Sequence, residues 1–246
     1  MKYVQILLSL ILIIPSMVLS MFVAILPSAV LRVFKRDNLS DRWMRVNAIA
    51  LSKIIMFALG TRIEVKGKEH IPDDGRKLCF VANHQSMLDI PAVVGGLHIW
   101  AGFVTKKELQ RVPILNSWIT AIHCVYIDRK SPRSSIEAIL KAVDNIRSGI
   151  PMFIFPEGTR SKTGRLGEFK TGSLKLATRA KASIVPITID GTRSALEGRR
   201  GLGFPKITLT VSPAVDTADL DEKQLKTLAD EIHDSIRTPL QLSLEA

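Results

Sequence analysis

Several things are scarce in this chain, and each scarcity removes a class of explanation. Only two of the 246 residues are cysteine, Cys79 and Cys124. They lie far apart inside apolar runs and form no CxxC pair, so they supply neither a disulfide framework nor a thiolate metal site, a pattern that suits a reducing compartment. The five histidines show no HExxH and no metal-type clustering with cysteine, so no metal site is expected. At His123-Cys124 the two are adjacent, and adjacent strand residues point to opposite faces, which argues against a thiol–imidazole pair. Aromatic residues make up 6% of the chain, a poor basis for stacking nucleobases. There is no GxxxxGK[ST] phosphate loop and no GxSxG nucleophile elbow. The glycines of Gly198–Gly203 stand in the order G-x-x-G-x-G, which is not that of a dinucleotide fingerprint.

A further absence is local. From Tyr3 to Leu31 no side chain is charged. As a helix this stretch would reach about 43 Å, more than the roughly 30 Å of a hydrocarbon core. The apolar part of a secretory signal runs only about 7–15 residues, so a retained anchor is the better reading. Pro15 and Pro27 are expected to kink or interrupt it. Arg32, Lys35, Arg36, Arg42 and Arg45 follow at once, whereas Lys2 is the only basic side chain before the run. By the positive-inside rule this places the bulk of the chain on the cytoplasmic face of the inner (plasma) membrane. A second, amphipathic stretch spans Asp41 to Leu59. A helical hairpin dipping into one leaflet and a single span followed by a surface helix fit the sequence equally. Residues 1–60 thus read as a membrane-anchoring helical segment and 61–246 as a separate domain.

What is plentiful is apolar and basic. The apolar fraction is 46%, and Lys plus Arg outnumber Asp plus Glu by 34 to 23, giving +11. Such a surface favours anionic partners: nucleic acid, acidic headgroups or phosphorylated small molecules. After Gly60, short β-branched runs alternate with helical patterns. Strands are expected at Arg62–Val65, Leu78–Ala82, Ala101–Val104, Cys124–Ile127, Met152–Phe155, Ile184–Ile189 and Ile207–Val211. A helix face is marked by Ile136, Ile139, Leu140, Val143 and Ile146, with Ser134 and Glu137 read as its capping box. Leu174–Ala180 and Leu225–Ile236 give two more helices. Strands interleaved with helices predict an α/β domain with a mixed, mainly parallel sheet flanked by helices, whose sites gather at the carboxyl ends of strands.

One such end is Asn83-His84-Gln85-Ser86-Met87-Leu88-Asp89, after the apolar run Leu78–Ala82. Five positions separate His84 from Asp89, which is about 140° on a helix and opposite faces on a strand. The two can meet only if the chain turns between them. A strand–turn–helix does so, with Asp89 as helix N-cap and Pro91 in the first turn. A carboxylate bonded to one imidazole nitrogen leaves the other free to take a proton. A lone His and Asp at this spacing are also adequately explained as a strand end and a cap. Two further loops share the placement. Met152–Phe155 leads into Pro156-Glu157-Gly158-Thr159-Arg160-Ser161, and Cys124–Ile127 leads into Asp128-Arg129. Glycine allows close backbone approach, Thr159 supplies a hydroxyl and Arg160 a fork of donors suited to phosphate. Arg129 and Lys106-Lys107 add charge nearby.

Together these blocks resemble the glycerolipid acyltransferase family. Asn83–Asp89 looks like its H-x4-D signature. Lys106-Lys107-Glu108-Leu109, Pro113 and Tyr126-Ile127-Asp128-Arg129 resemble the second block. Phe155–Ser161 matches the third, and Val185-Pro186-Ile187 resembles the fourth, the whole covering about Gly67 to Thr192. The chain is most similar to bacterial 1-acyl-glycerol-3-phosphate acyltransferases, which make phosphatidic acid. The resemblance implies His84 as base with Asp89 orienting it. It implies Glu157, Gly158, Thr159 and Arg160 at the acceptor phosphate, with Arg129 and Lys106 from the second block. The implied partners are membrane lipids, lysophosphatidic acid and acyl-CoA or acyl-carrier protein as thioester donor, with no cofactor beyond that substrate and no nucleic acid. The oxyanion would be met by backbone N–H groups near the start of the helix after Asp89, or by a lysine. Transfer to another lysolipid or to glycerol-3-phosphate is the alternative within the class. A membrane-anchored basic binding protein without chemistry is the alternative outside it, and it gives no reason for the His–Asp and E-G-T-R blocks at strand ends.

Overall fold

The computed structural model describes residues 2–128, 130–170, 172–199 and 203–245. Its centre is a seven-stranded sheet of β1 (Arg62–Lys66), β2 (Leu78–Ala82), β3 (Gly102–Lys106), β4 (Val125–Ile127), β5 (Met152–Ile154), β6 (Ser183–Asp190) and β7 (Lys206–Val211). The spatial order is β1-β7-β6-β2-β5-β3-β4. Strands β6, β2, β5, β3 and β4 are parallel, while β7 pairs antiparallel with β6 and carries β1 beside it in its own direction. The sheet is therefore mixed and mainly parallel. Each strand overlaps one of the apolar runs expected from the sequence.

Helices cover both faces, which is why β2 is apolar at every position. Leu78, Phe80 and Ala82 face a core shared with α4 (Asp89–Leu97), whereas Cys79 and Val81 face a second core. That second core is closed by α6 (Pro132–Arg147), α7 (Lys175–Ala180) and α9 (Glu222–Glu245), through Ala142, Ile146, Leu176, Ile232 and Ile236. Two shorter helices, α5 (Pro113–Ala121) and α8 (Thr192–Ala195), follow β3 and β6.

The N-terminal part is a rod made of α1 (Lys2–Ser20), a π-helical turn at Met21–Ile25 and α2 (Leu26–Val33), with α3 (Asp37–Ala58) returning alongside it. Leu7–Val33 is long and apolar enough to cross a membrane, by length and composition. It exposes Leu7, Ile11, Phe22 and Leu26. Small hydroxyls pin the two arms: Ser9 Oγ donates to Ala58 O (2.8 Å) at one end, and Ser28 and Ser40 hydroxyls meet at 2.7 Å near the other. On its far side α3 contributes Met56 to the α4 core, with Leu59 just beyond its end. Arg32 donates to Asp41 (3.2 Å) and to Ala121 O (2.7 Å), and His123 Nε2 lies 2.9 Å from Asp41, so the hairpin is fastened to the segment before β4.

Three local expectations need correction. Pro15 does not interrupt α1, which runs through it, whereas regular α-helix does give way immediately before Pro27. The irregularity is the intervening π turn, and Trp43 Nε1 donates to Val23 O (3.0 Å), the carbonyl four residues before Pro27. The capping box is not at Ser134 and Glu137. Helix α6 begins earlier, with Ser131 as N-cap accepting from Ser134 N (3.2 Å) and Pro132 just inside; Ser134 Oγ accepts from Asp128 N and Glu137 pairs with Arg133. A reciprocal box does exist before α9. There Asp221 Oδ1 accepts from Gln224 N (2.8 Å), and Gln224 Oε1 accepts from Asp221 N (2.9 Å). Lastly, α3 starts at Asp37 rather than Asp41.

Beyond β2 the ladder is continued by a side chain. Buried Asn83 donates through Nδ2 to Ile189 O and accepts at Oδ1 from Ile189 N, both at 2.7 Å, so its amide pairs with β6 as a peptide would. Asn83→Ala leaves that buried N–H and C=O unpaired and is expected to cost about 2–4 kcal/mol. A lowered thermal midpoint checks this; an unchanged midpoint would show that the pairing contributes nothing.

Candidate active site

At the carboxyl end of β2 the chain turns through Gln85–Leu88 and enters α4. The turn is built around the Asp89 carboxylate, which is fully buried. Its Oδ2 accepts from Gln85 N (2.7 Å) and Ser86 N (2.9 Å) and lies 2.6 Å from His84 Nδ1. Its Oδ1 accepts from Thr192 Oγ1 at 2.5 Å. Asp89 is thus the first residue of α4, not its N-cap, a position held by Leu88. Its side chain reaches back to the turn that precedes it instead of forward to the helix amides. A carboxylate oxygen only accepts, so this contact calls for Nδ1 as the donor, and in the neutral ring that tautomer leaves Nε2 as the acceptor. The His84 ring stacks on Phe155, with centroids 4.1 Å apart and planes at 16°. The His84 side chain remains 17% exposed. It is held on two sides and open at one edge.

Strand β5 is the neighbour of β2, and the loop after it closes over the same turn. Glu157 Oε1 accepts from His84 N (2.7 Å) and Oε2 from Gly167 N (2.9 Å). Ser161 N donates to His84 O (2.8 Å), and Gln85 Nε2 donates to Gly164 O (3.0 Å). Glu157 is 6% exposed, and burial pushes its carboxyl above the usual range, against the pull of those two N–H donors. Both of its oxygens are occupied inside the protein. Through these two contacts it fastens the loop to the backbone of the base turn. Gly158 has φ +67, a backbone conformation that favours glycine; an added Cβ would meet only the flexible end of Lys170.

The exposed part of this loop borders an open hollow of about 290 Å³, lined by Thr159, Arg160, Ser161, Thr163 and Arg165 among others. Arg160 Nη1 contacts Glu197 Oε1 at 3.2 Å. Glu197 in turn accepts from Ser86 Oγ (2.5 Å) and Met87 N (3.0 Å). His84, Asp89, Thr159 and Arg160 are therefore gathered at one place. Lys106 sits at the end of β3, two strands from β2, where its ammonium pairs with Glu108 at 3.0 Å. Arg129 lies outside the described residues.

The amides leading into α4 are not available to an oxyanion. Gln85 and Ser86 donate to Asp89, Met87 to Glu197, and Leu88 to Ser86 Oγ (3.1 Å). Cys79 and Cys124 are buried, and burial pushes both thiols up to about 12, so neither is a nucleophile. Among the described residues no group of three or more His, Cys, Asp or Glu side chains is placed to hold a metal ion. Two site residues escaped the sequence reading, Thr192 and Glu197, which lie 103 and 111 positions from their partners Asp89 and Ser86. Thr192 follows the carboxyl end of β6, so the strand-end rule marks its neighbourhood. Gly191 (φ +88) lets the chain turn there, since a Cβ would lie 2.2 Å from Lys206 O. Glu197 carries no such signal.

Comparison with known proteins follows this geometry. A family model described as Acyltransferase matches residues 62–190. A chloroplastic 1-acyl-sn-glycerol-3-phosphate acyltransferase of Arabidopsis thaliana is 35% identical over 131 residues, covering 53% of this chain and 36% of the relative. A 1-acyl-sn-glycerol-3-phosphate acyltransferase of Borreliella burgdorferi is 30% identical over 196 residues, covering 78% of this chain and 77% of the relative. The chain spans little more than a third of the two chloroplastic relatives it matches, 36% and 38% of their lengths. The crystal structure of the 1-acyl-sn-glycerophosphate (LPA) acyltransferase PlsC from Thermotoga maritima superposes with a TM-score of 0.76 at 27% identity, covering 100% of this chain and 98% of that one.

The Thr192 hydroxyl donates to a buried carboxylate. Thr192→Val keeps the shape and removes the donor, and is expected to cost about 1.5–3 kcal/mol. Thr192→Ser should recover most of it. Equal thermal midpoints for Val, Ser and wild type would refute the contribution.

Proposed function

The chain belongs to the acyltransferase family, and from that premise we propose that it transfers a fatty acyl group from a thioester, acyl-CoA or acyl-carrier protein, to the sn-2 hydroxyl of 1-acyl-glycerol-3-phosphate, giving phosphatidic acid. The observation that supports this best is the His84 imidazole. Asp89 holds it through Nδ1, Nε2 is left as acceptor, and the loop that lines the Arg160 hollow is tied to the same turn through Glu157 and Glu197. In this reading Nε2 takes the proton of the acceptor hydroxyl as its oxygen attacks the thioester carbonyl. The new C–O bond gives a tetrahedral oxyanion. Its collapse breaks the C–S bond, and the His84 imidazolium returns the proton to the departing thiolate. Oxyanion stabilisation falls to a donor other than the amides of Gln85–Leu88, which are already engaged.

Arg160 and Thr159 would hold the acceptor phosphate, which fixes the hydroxyl presented to the base. Glu157 would act indirectly, by fastening their loop to the His84 backbone. The hairpin of α1–α3 would rest in the membrane from which the lysolipid arrives, with the domain on the cytoplasmic side, in keeping with Arg32, Lys35 and Arg36 at the end of the apolar rod.

Thiol release from acyl-CoA with a panel of acceptors, among them 1-acyl-glycerol-3-phosphate, other lysolipids and glycerol-3-phosphate, tests the reading. His84→Ala is expected to lower kcat about 10²–10⁴-fold, and Asp89→Asn to lower it in the same sense by favouring the wrong tautomer. Arg160→Ala should raise the acceptor KM. Near-normal turnover by His84→Ala would sink the base assignment, and preference for a phosphate-free acceptor would sink the substrate.

A further inference from the structure

Glu197 stands outside the residues matched by the family model and outside every motif of the sequence reading, yet its carboxylate joins the two halves of the site. Oε2 accepts from Ser86 Oγ at 2.5 Å, and Oε1 accepts from Met87 N at 3.0 Å and from Arg160 Nη1 at 3.2 Å. Ser86 and Met87 belong to the turn that Asp89 organises, and Arg160 belongs to the loop after β5. The Glu197 side chain is 33% exposed and that of Arg160 48%, so water reaches the pair. An isolated ion pair there would hold little. This carboxylate is not isolated: a buried hydroxyl and a backbone N–H fix its position before Arg160 arrives.

We infer that Glu197 is a positioning residue that anchors Arg160 beside the base turn, so that an incoming phosphate meets an arginine already aimed. The inference rests on the acyl-transfer reading above. A free arginine side chain samples many rotamers, and binding a phosphate must order them. One guanidinium corner held by Glu197 leaves the remaining N–H groups for the phosphate oxygens and lowers that ordering cost. Because the same carboxylate holds Ser86 and Met87, it ties the guanidinium itself to the turn that carries His84, adding to the backbone ties that Glu157 makes for the loop. The acceptor is thereby measured from its phosphate to its hydroxyl, which favours a glycerol-3-phosphate spacing.

The test is a cycle of Glu197→Gln, Arg160→Ala and the double variant in the full chain, assayed at varied 1-acyl-glycerol-3-phosphate with thermal midpoints alongside. Glutamine keeps one acceptor oxygen, for Met87 N, and places an NH2 donor towards Ser86 Oγ, but it loses the charge that holds Arg160. Glu197→Gln is expected to raise the acceptor KM about tenfold with a much smaller change in kcat, and to add nothing in the Arg160→Ala background. An unchanged KM, or single effects that multiply in the double variant, would overturn the inference. So would a loss of kcat that follows a lowered midpoint with KM unmoved, since that marks a turn cap only. A wild-type protein that releases no thiol with any acceptor would instead overturn the acyl-transfer reading beneath it.

Discussion

The structure around the site depends on one buried carboxylate. Asp89 is removed from water, and each of its oxygens is met inside the protein: Oδ2 by His84, Gln85 and Ser86, Oδ1 by Thr192. A buried carboxylate without such partners would be strongly unfavourable. Surrounded by donors, it shapes the turn, since Gln85 and Ser86 can reach it only if the backbone curls around it. The imidazole is then presented in one tautomer by the same contacts that make the turn stable. Structure and the proposed chemistry share a single interaction, so a change at Asp89 affects both.

The sheet supplies the partners. Because β2 lies between β6 and β5, its carboxyl end receives the loops that follow both neighbours. From the β6 side come Thr192, which completes the Asp89 shell, and the Ile189 backbone, which Asn83 pairs. From the β5 side come Phe155 under the imidazole and Glu157 on the His84 amide. Parallel strands place all these ends on one edge, and their loops meet there for that reason. The two carboxylates divide the work. Asp89 sets the imidazole, and Glu157, held within the protein by backbone donors on either side, sets the loop that carries Thr159 and Arg160.

The N-terminal hairpin is joined to this arrangement through packing as well as sequence. Helix α3 presents one side to the apolar rod and another to α4, whose first residue is Asp89. The rod that is long enough to enter a membrane is thus two layers from the base. Asp41, Arg32 and His123 add a polar clasp at the other end of α3. For a lipid substrate this geometry would bring the membrane surface and the reacting groups into a fixed relation without a flexible linker.

Much of this was written in local pattern. The central strands were legible because residues buried on both faces must be apolar over short runs, and the outer β1 and β7 because their apolar residues alternate with polar ones. The apolar rod was legible because Tyr3–Leu31 has no charge, and the His84–Asp89 turn because an interval of five permits contact only through a bend. The third motif block located Thr159 and Arg160. Local pattern failed where several partners competed for one group. Ser134 looked like a cap, but Ser131 with Pro132 took that place, and the two backbone donors that meet Glu157 come from segments its own neighbourhood does not reveal. Thr192 and Glu197 were out of reach because their roles exist only once β6 and the chain beyond it lie against β2, more than a hundred residues away in sequence. The sequence by itself determined the element types and the apolar N-terminal rod, since these follow from periodicity and side-chain type. Only the tertiary structure decided that the Asp89 and Glu157 carboxylates both turn inward while Glu197 keeps an exposed edge, because that depends on donors brought together from distant strands.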